Sequence, residues 1–408
     1  MKCRNCGHPL SEQFIDLINC PPSNAYLESD DLNSPEVFYP LRLFVCDQCW
    51  LVQVDEYKKA HEIFSDDYAY FSSYSSSWLD HCRRYTDMIR QRLNLDSSSL
   101  VVEVASNDGY LLQYFKQAGI QVLGIEPTRG TAEIAISKGI DTMIEFFGTD
   151  LAWKLAADGR QADLIVGNNV LAHVPDLHDF VGGIRILLKD HAIATFEFPH
   201  LYQLVLNNQF DTIYHEHFSY FSLHAVQQIM ADHDLTVVDV EEIPTHGGSL
   251  RLYVQPNSNP IPQILPSVND LLNKESQAGM LETEYYQSFY SRVEQVKLDL
   301  LSLVIEIRRQ HKKIVAYGAA AKGNTLLNFC GIRKDWLDYV VDRSPHKQGK
   351  FLPASHIPVL SPECIRQDKP DYVLILPWNI KNEIMDQLNY IREWGGRFII
   401  PIPSIQVV

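Results

Sequence analysis

Long apolar runs are missing from this chain of 408 residues. No stretch reaches the roughly 20 residues that a membrane-crossing helix needs. The opening MKCRNCGHPL lacks the apolar core of a secretion signal, so the protein is expected in the cytoplasm and off the membrane. A basic excess is missing too: 35 Lys and Arg stand against 51 Asp and Glu, a formal net charge of −16. Phosphate backbones and anionic lipid surfaces ask for the opposite balance, which excludes general nucleic-acid binding and leaves any anionic ligand to local groups. Cysteines number eight, too few for a disulfide scaffold. What is present is a globular composition, 46% hydrophobic and 21% charged, long enough for two or three domains.

Four of the cysteines are paired by spacing. Cys3 and Cys6 form one C-x2-C, Cys46 and Cys49 another, with a polar segment bearing Pro21, Pro22, Pro35 and Pro40 between them. Two such pairs fit tetrahedral zinc, each supplying two thiolates across a tight turn. The separation exceeds that of common zinc ribbons, so an elaborated knuckle with a little β-structure is expected, its metal structural. Redox thiols are the alternative. Cys20, Cys82, Cys330 and Cys364 have no partner spacing.

Residues 66 to 82, DDYAYFSSYSSSWLDHC, are dense in Tyr and Ser. They read as a surface loop or as a strip of donors over a polar substrate, with Tyr68 and Tyr70 as its participants. SLVVEVASNDG then gives a buried strand, an acid and a turn, followed by a helix and by QVLGIEP, a second strand ending in Glu126. This is a Rossmann-like βαβ unit with an acid placed for ribose hydroxyls. Its turn, Glu103-x-Ala105-x-Asn107-x-Gly109, lacks the G-x-G-x-x-G that a pyrophosphate wants. It lies closer to the E/D-x-G-x-G-x-G of class I methyltransferases, with only the last glycine kept. A later strand, 164 to 167, leads to Asn168, Asn169 and His173, then to a helix near 180 to 188. After a further strand, LTVVDVEEIPTHGGSLRLYV reads as two antiparallel runs around His246.

The stretch FDTIYHEHFSYF, 210 to 221, sets His215 and His217 either side of Glu216 amid Tyr214, Tyr220 and phenylalanines. Imidazoles beside a carboxylate suit general acid/base work; a satisfied aromatic-lined turn is the bland alternative, and spacing does not choose between the two histidines. Residues 257 to 278 read as a linker. From 281 to 310 apolar residues at Phe289, Val293, Val296, Leu300, Val304 and Ile307 predict one long amphipathic helix. KKIVAYGAAAKGNTLLNFCG opens a second Rossmann-like unit, whose helix N-terminus with Lys322 and Asn324 favours a phosphate and whose next strand ends in Asp342.

Taken together, CRNCG, CDQC, PPSNAYL, DYAYFSSYS, EVASNDGYLL, GIEP, NNVLAHVPD, EFPHL, YHEHFSYFS, HGGSLR and YGAAAKGNTLLN resemble the zinc-containing sugar C-methyltransferases, which methylate nucleotide-linked 4-keto deoxysugars. The resemblance runs from Cys3 to Asn328. It implies an α/β chain of three parts: a zinc-binding domain over 1–67, a Rossmann-like methyltransferase domain over 68–262 and a C-terminal Rossmann-like domain over 263–408. It also implies an enzyme using S-adenosylmethionine, with structural zinc on the four cysteines. The cofactor would lie on Glu103, Ala105, Asn107, Gly109, Glu126 and Asn168. By the same resemblance His217 is the base that removes the C-3 proton, and Tyr214, Glu216, Tyr68 and His173 complete the catalytic set. Tyr70, Arg251, Lys322 and Asn324 would meet the sugar nucleotide, most simply a thymidine one, and the chain would act as a monomer. Rival readings are an NAD-dependent sugar-nucleotide oxidoreductase and a non-catalytic zinc-organised nucleotide-binding protein.

Overall fold

The structure is a computed structural model that describes residues 1–57, 71–258 and 262–408. Among these the backbone forms three sheets. In the first, β1 (Glu12–Cys20), β2 (Tyr39–Val45) and β3 (Val52–Val54) run antiparallel, and the fourth strand, β9 (Ser219–Tyr220), arrives from far along the chain to pair with β3. The β-structure expected of the zinc knuckle is therefore completed by the YHEH stretch itself.

The second sheet holds β4 (Leu100–Val104), β5 (Gln121–Ile125), β6 (Thr142–Met143), β7 (Ala162–Asn168), β8 (Leu188–Pro199), β10 (Leu235–Ile243) and β11 (Ser249–Pro256). Its order is β10-β11-β8-β7-β4-β5-β6, with β4 to β8 parallel and β11 antiparallel to both neighbours. Val101, Val102, Leu164, Ile165 and Val166 are fully buried, as strands covered on both faces require. The direction of winding reverses between β4 and β7, and ligands of open α/β sheets bind at the carboxyl ends of the strands beside such a reversal. The third sheet joins β12 (Ile314–Tyr317), β13 (Val340–Val341), β14 (Val359–Leu360), β15 (Tyr372–Ile375), β16 (Arg397–Ile400) and β17 (Gln406–Val407) in the order β14-β13-β12-β15-β16-β17, parallel except for β17. Its reversal falls between β12 and β15.

The long helix runs Phe289–Arg309, and all six apolar positions named from the sequence are buried. It packs on the first sheet, where the Phe289 and Phe14 rings stack at 5.0 Å. One continuous core includes side chains of the first sheet, this helix and the third sheet. Two expectations need correction. The Ser-rich stretch is not loop to its end: Ser75 caps a helix, Ser76–Leu93, by accepting from the Trp78 amide at 3.3 Å. The span read as a linker contains the helix Pro266–Gln277, whose Val268 and Leu271 are buried against the middle sheet. Pro266 stands in its first turn, where a missing N–H costs nothing.

That helix also delivers Glu275, fully buried. Its carboxylate accepts from His200 Nε2 at 2.7 Å, from the Leu223 and His224 amides at 2.7 and 3.1 Å and from His224 Nδ1 at 2.9 Å. Burial alone would raise this carboxyl, but the His200 and His224 bonds bring it down to about 2. The folded value lies below the ordinary 4.5, so the stabilisation is present above that pH and is lost as pH falls toward 2. Glu275→Ala should cost about 3–5 kcal/mol, as for one half of a broken buried pair, and should flatten the acid limb of a urea-midpoint-against-pH curve. A midpoint unmoved at pH 7 would contradict this.

Candidate active site

The turn after β4 keeps the shape of a glycine-rich loop without its glycines. Ala105 and Asn107 both hold positive φ, 59° and 50°, where the methyltransferase pattern has Gly, a conformation costing a non-glycine residue about 1–2 kcal/mol. The Ala105 amide donates to the Ile125 carbonyl at 2.8 Å and the Asn107 amide to Glu126 Oε2 at 2.9 Å. At Gly109 a side chain would strike Ile140. Glu126, expected on a ribose, also accepts from the Thr128 amide at 2.9 Å and from its hydroxyl, and so ties the two loops together. Both amide atoms of Asn168, Ser106 Oγ and Asp108 Oδ1 are buried without a partner among the described residues, and the buried Glu103 carboxylate has Tyr110 and the Leu112 amide beside it. Buried polar atoms seldom stay unsatisfied, and these lie in the turn after β4 and at the end of β7, on either side of the reversal. A polar, phosphate-free ligand such as S-adenosylmethionine fits this donor and acceptor set. Ser72 and Ser73 lie over the turn, the Ser72 amide donating to Asn107 Oδ1 at 2.9 Å. Tyr68 and Tyr70 lie outside the described residues.

The YHEH loop brings Tyr214 and His217 together and sends His215 and Glu216 elsewhere. His217 Nδ1 donates to the Thr212 carbonyl at 3.1 Å, which fixes the tautomer, because a carbonyl only accepts. Nε2 is then the bare nitrogen, receiving the Tyr214 hydroxyl at 2.7 Å. His173 Nδ1 donates to the Glu216 carbonyl at 2.8 Å, and its ring stands edge-on to His217 with centroids 4.7 Å apart. Burial, then His173, His246 and Lys322 around it, hold the His217 imidazole well below its ordinary value despite the Thr212 bond; burial takes His173 down to about 4. His215 turns the other way, donating to the Pro40 carbonyl at 3.1 Å beside Tyr39. The Glu216 carboxylate accepts the Asn24 side-chain amide at 2.8 Å on both oxygens, binding the loop to PPSNAYL.

The zinc ligands brace the same loop from behind. Sγ atoms of Cys3, Cys6, Cys46 and Cys49 all lie within 4.8 Å of one another, matching the roughly 3.8 Å edge of a tetrahedron with Zn–S bonds of about 2.3 Å. Gln53 donates to Cys3 Sγ at 3.3 Å and sits opposite Ser219 in the strand pairing, an outer partner that orients a ligand. The Phe218 carbonyl accepts the Val54 amide at 3.0 Å and the Arg4 guanidinium as well.

The third sheet reaches the loop through its own reversal. Lys322, in the first turn of the helix Ala321–Cys330, donates to Asn379 Oδ1 at 2.7 Å and lies 4.9 Å over the Trp378 ring. The Trp378 indole N–H donates to Asp211 Oδ2 at 2.6 Å. A Cβ on Gly247 would come within 2.5 Å of that indole, so only glycine lets the HGG turn pack there. His246, at φ 54°, meets the Asn169 amide at 3.2 Å. Asp211, Trp378, His246 and Asn24 were given no site role from sequence, although all but Trp378 lie in motifs named there.

Two expected substrate contacts are engaged elsewhere. Arg251 is buried in a cross-strand pair, 2.6 Å from Glu197 and 2.8 Å from Glu241. Asn324, also buried, donates to the Ser23 carbonyl at 2.6 Å. Asp342, which an NAD-type ribose would need, accepts the Ala319 and Ser344 amides, both at 2.8 Å. Tyr26 closes over the same turn by donating to the Ala319 carbonyl at 2.5 Å.

A seven-stranded sheet in this order, carrying its ligand-type orphan groups at the β4–β7 reversal, defines an S-adenosylmethionine-dependent methyltransferase. Three family models match in sequence: a zinc binding domain over residues 3–64, a methyltransferase domain over 78–240 and a C-methyltransferase C-terminal domain over 244–403. C-methyltransferase NovU of Streptomyces niveus is 36% identical over 410 residues, covering 100% of this chain and 96% of that protein. The chain belongs to this family of zinc-containing, S-adenosylmethionine-dependent C-methyltransferases. Among solved structures, PH0226 protein of Pyrococcus horikoshii OT3 superposes with a TM-score of 0.38 at 13% identity, over 49% of this chain and 99% of its own. Magnesium protoporphyrin IX methyltransferase of Synechocystis PCC 6803 with bound SAM gives 0.32 at 16%, over 42% and 78%. No described helix is long and apolar enough to cross a membrane.

Proposed function

We propose that the enzyme methylates C-3 of a nucleotide-linked 4-keto deoxysugar, with His217 as the base that forms the enolate. The observation that carries this reading is the orientation of His217. Its protonated nitrogen is held by the Thr212 carbonyl, and its bare nitrogen is presented beside Tyr214 and His173. A neutral imidazole in a largely dry site is a base at physiological pH. Tyr214, within hydrogen-bond reach of Nε2, is placed to hold that nitrogen until substrate takes its place, and His173 and Glu216 fix the loop on which both stand. S-adenosylmethionine, when bound, supplies a methyl group already activated on a sulfonium, so no metal need act on the substrate and the zinc is structural. We read the active species as a monomer acting on a small sugar nucleotide, with thymidine the simplest base.

The test is calorimetric titration with S-adenosylhomocysteine and, separately, with NAD. The first alone should bind, and Glu126→Ala, which removes both the proposed ribose contact and the brace on the turn, should abolish it. Binding of NAD alone would return the site to the oxidoreductase reading.

A further inference from the structure

Lys322 was expected on a pyrophosphate, yet its surroundings are those of a reacting centre. The side chain is only partly exposed and leaves the third sheet at the β12–β15 reversal, the position at which such sheets present ligand-binding groups. Asn379, on the other side of that reversal, takes one of its three N–H donors. Among the described residues no carboxylate lies within ion-pair distance: Asp211 is near enough to favour the charged form of Lys322, with its Oδ2 held by Trp378 and its Oδ1 buried without a hydrogen bond. Apart from Asn379 and the face of the Trp378 ring, no described group meets this ammonium, which leaves hydrogen-bonding capacity for a ligand. The ammonium is also close enough to His217 and to His246 to disfavour protonation of either ring. The base and the cation come from different parts of the chain that pack together: Trp378, under the ammonium, bonds Asp211 at 2.6 Å, and Thr325 of the Lys322 helix donates to the Ile213 carbonyl at 2.8 Å, just before Tyr214.

We propose that Lys322 is a catalytic residue whose ammonium binds the ketone oxygen of the substrate and carries the charge that develops there as His217 removes the neighbouring proton. This assignment rests on the keto-sugar reading above. In the step, the proton moves from C-3 to His217 Nε2, the C–H electron pair becomes the C-3–C-4 π bond, and the carbonyl π pair moves onto oxygen opposite Lys322. A fixed cation in a site that excludes water is the arrangement that stabilises such an oxyanion most. The pyrophosphate then needs another partner, and Asn324 and Arg251 are already committed.

The test separates this step from methyl transfer. Full-length wild type and Lys322→Met are incubated in D2O with a thymidine-diphospho-4-keto-deoxysugar and S-adenosylhomocysteine, and deuterium entering C-3 is followed by NMR; kcat and KM for methylation are measured in parallel. Wild type should exchange. The variant should lose exchange and kcat together by about a hundredfold or more, with S-adenosylhomocysteine affinity and thermal melting unchanged. Ethylammonium added to Lys322→Ala should restore part of both. Lys322→Gln serves as the second variant if methionine disturbs folding. A variant with wild-type exchange, or one whose KM rises at constant kcat, overturns the assignment and returns Lys322 to the diphosphate. Wild type that neither exchanges nor methylates overturns the keto-sugar reading beneath it.

Discussion

Substituting His217 by asparagine should leave cofactor binding intact and lower turnover by about two to four powers of ten, the usual worth of a positioned base. Asparagine can still donate to the Thr212 carbonyl, so the loop should keep its shape, but it offers no basic nitrogen at the place of Nε2. His215 faces Tyr39 and Pro40 on the opposite side of the loop, and its replacement should act through loop packing instead. Unchanged turnover in His217→Asn, measured with saturating substrates, would rule out His217 as the base. The wild-type pH profile supplies a second reading of the same residue. Burial and the neighbouring His173, His246 and Lys322 depress the imidazole, so its neutral form persists below the ordinary 6.5 and the acid limb of kcat should lie lower than that value. A limb centred on 6.5 would mean that the base is a solvated histidine.

Removal of zinc should be as damaging, though the metal meets no substrate. Metal analysis after exhaustive dialysis should find about one zinc per chain for a four-thiolate site. Binding of structural zinc is worth about 10–16 kcal/mol in isolated fingers, and here it holds together a sheet whose last strand is β9. Cys49→Ala, or strong chelation, should therefore release β1 to β3, slacken the YHEH loop and lower methyl transfer by more than about a hundredfold. S-adenosylhomocysteine binding, a property of the second sheet, should persist. A metal-free protein with full activity and an unchanged melting curve would contradict both the metal assignment and the coupling.

These effects were legible in the sequence to different depths. The helix Phe289–Arg309 could be read residue by residue because it buries one regular stripe. The four cysteines could be read because zinc dictates their spacing. The cofactor turn was legible only as a damaged motif: Ala105 and Asn107 hide their left-handed backbone until the bonds to Ile125 and Glu126 are seen. The pairing of Arg251 with Glu197 and Glu241 was not legible because these are cross-strand neighbours fixed by register. The helix Pro266–Gln277 was mistaken for a linker because three buried residues in twelve make a thin stripe and its proline reads as a breaker. The meeting of Asp211, Trp378, His246 and Lys322 depends on how four separate segments pack, which no local pattern encodes.

The pairing of β3 with Ser219–Tyr220 has a consequence for recombining relatives of this enzyme. A chimera cut between the zinc-binding and methyltransferase segments would graft three strands onto a foreign fourth, and Asn24 and Arg4 would have to find Glu216 and Phe218 in an unfamiliar loop. The natural unit of exchange is discontinuous: residues 1–57 travel together with residues 200–221, and substrate preferences carried by one should be inherited only with the other.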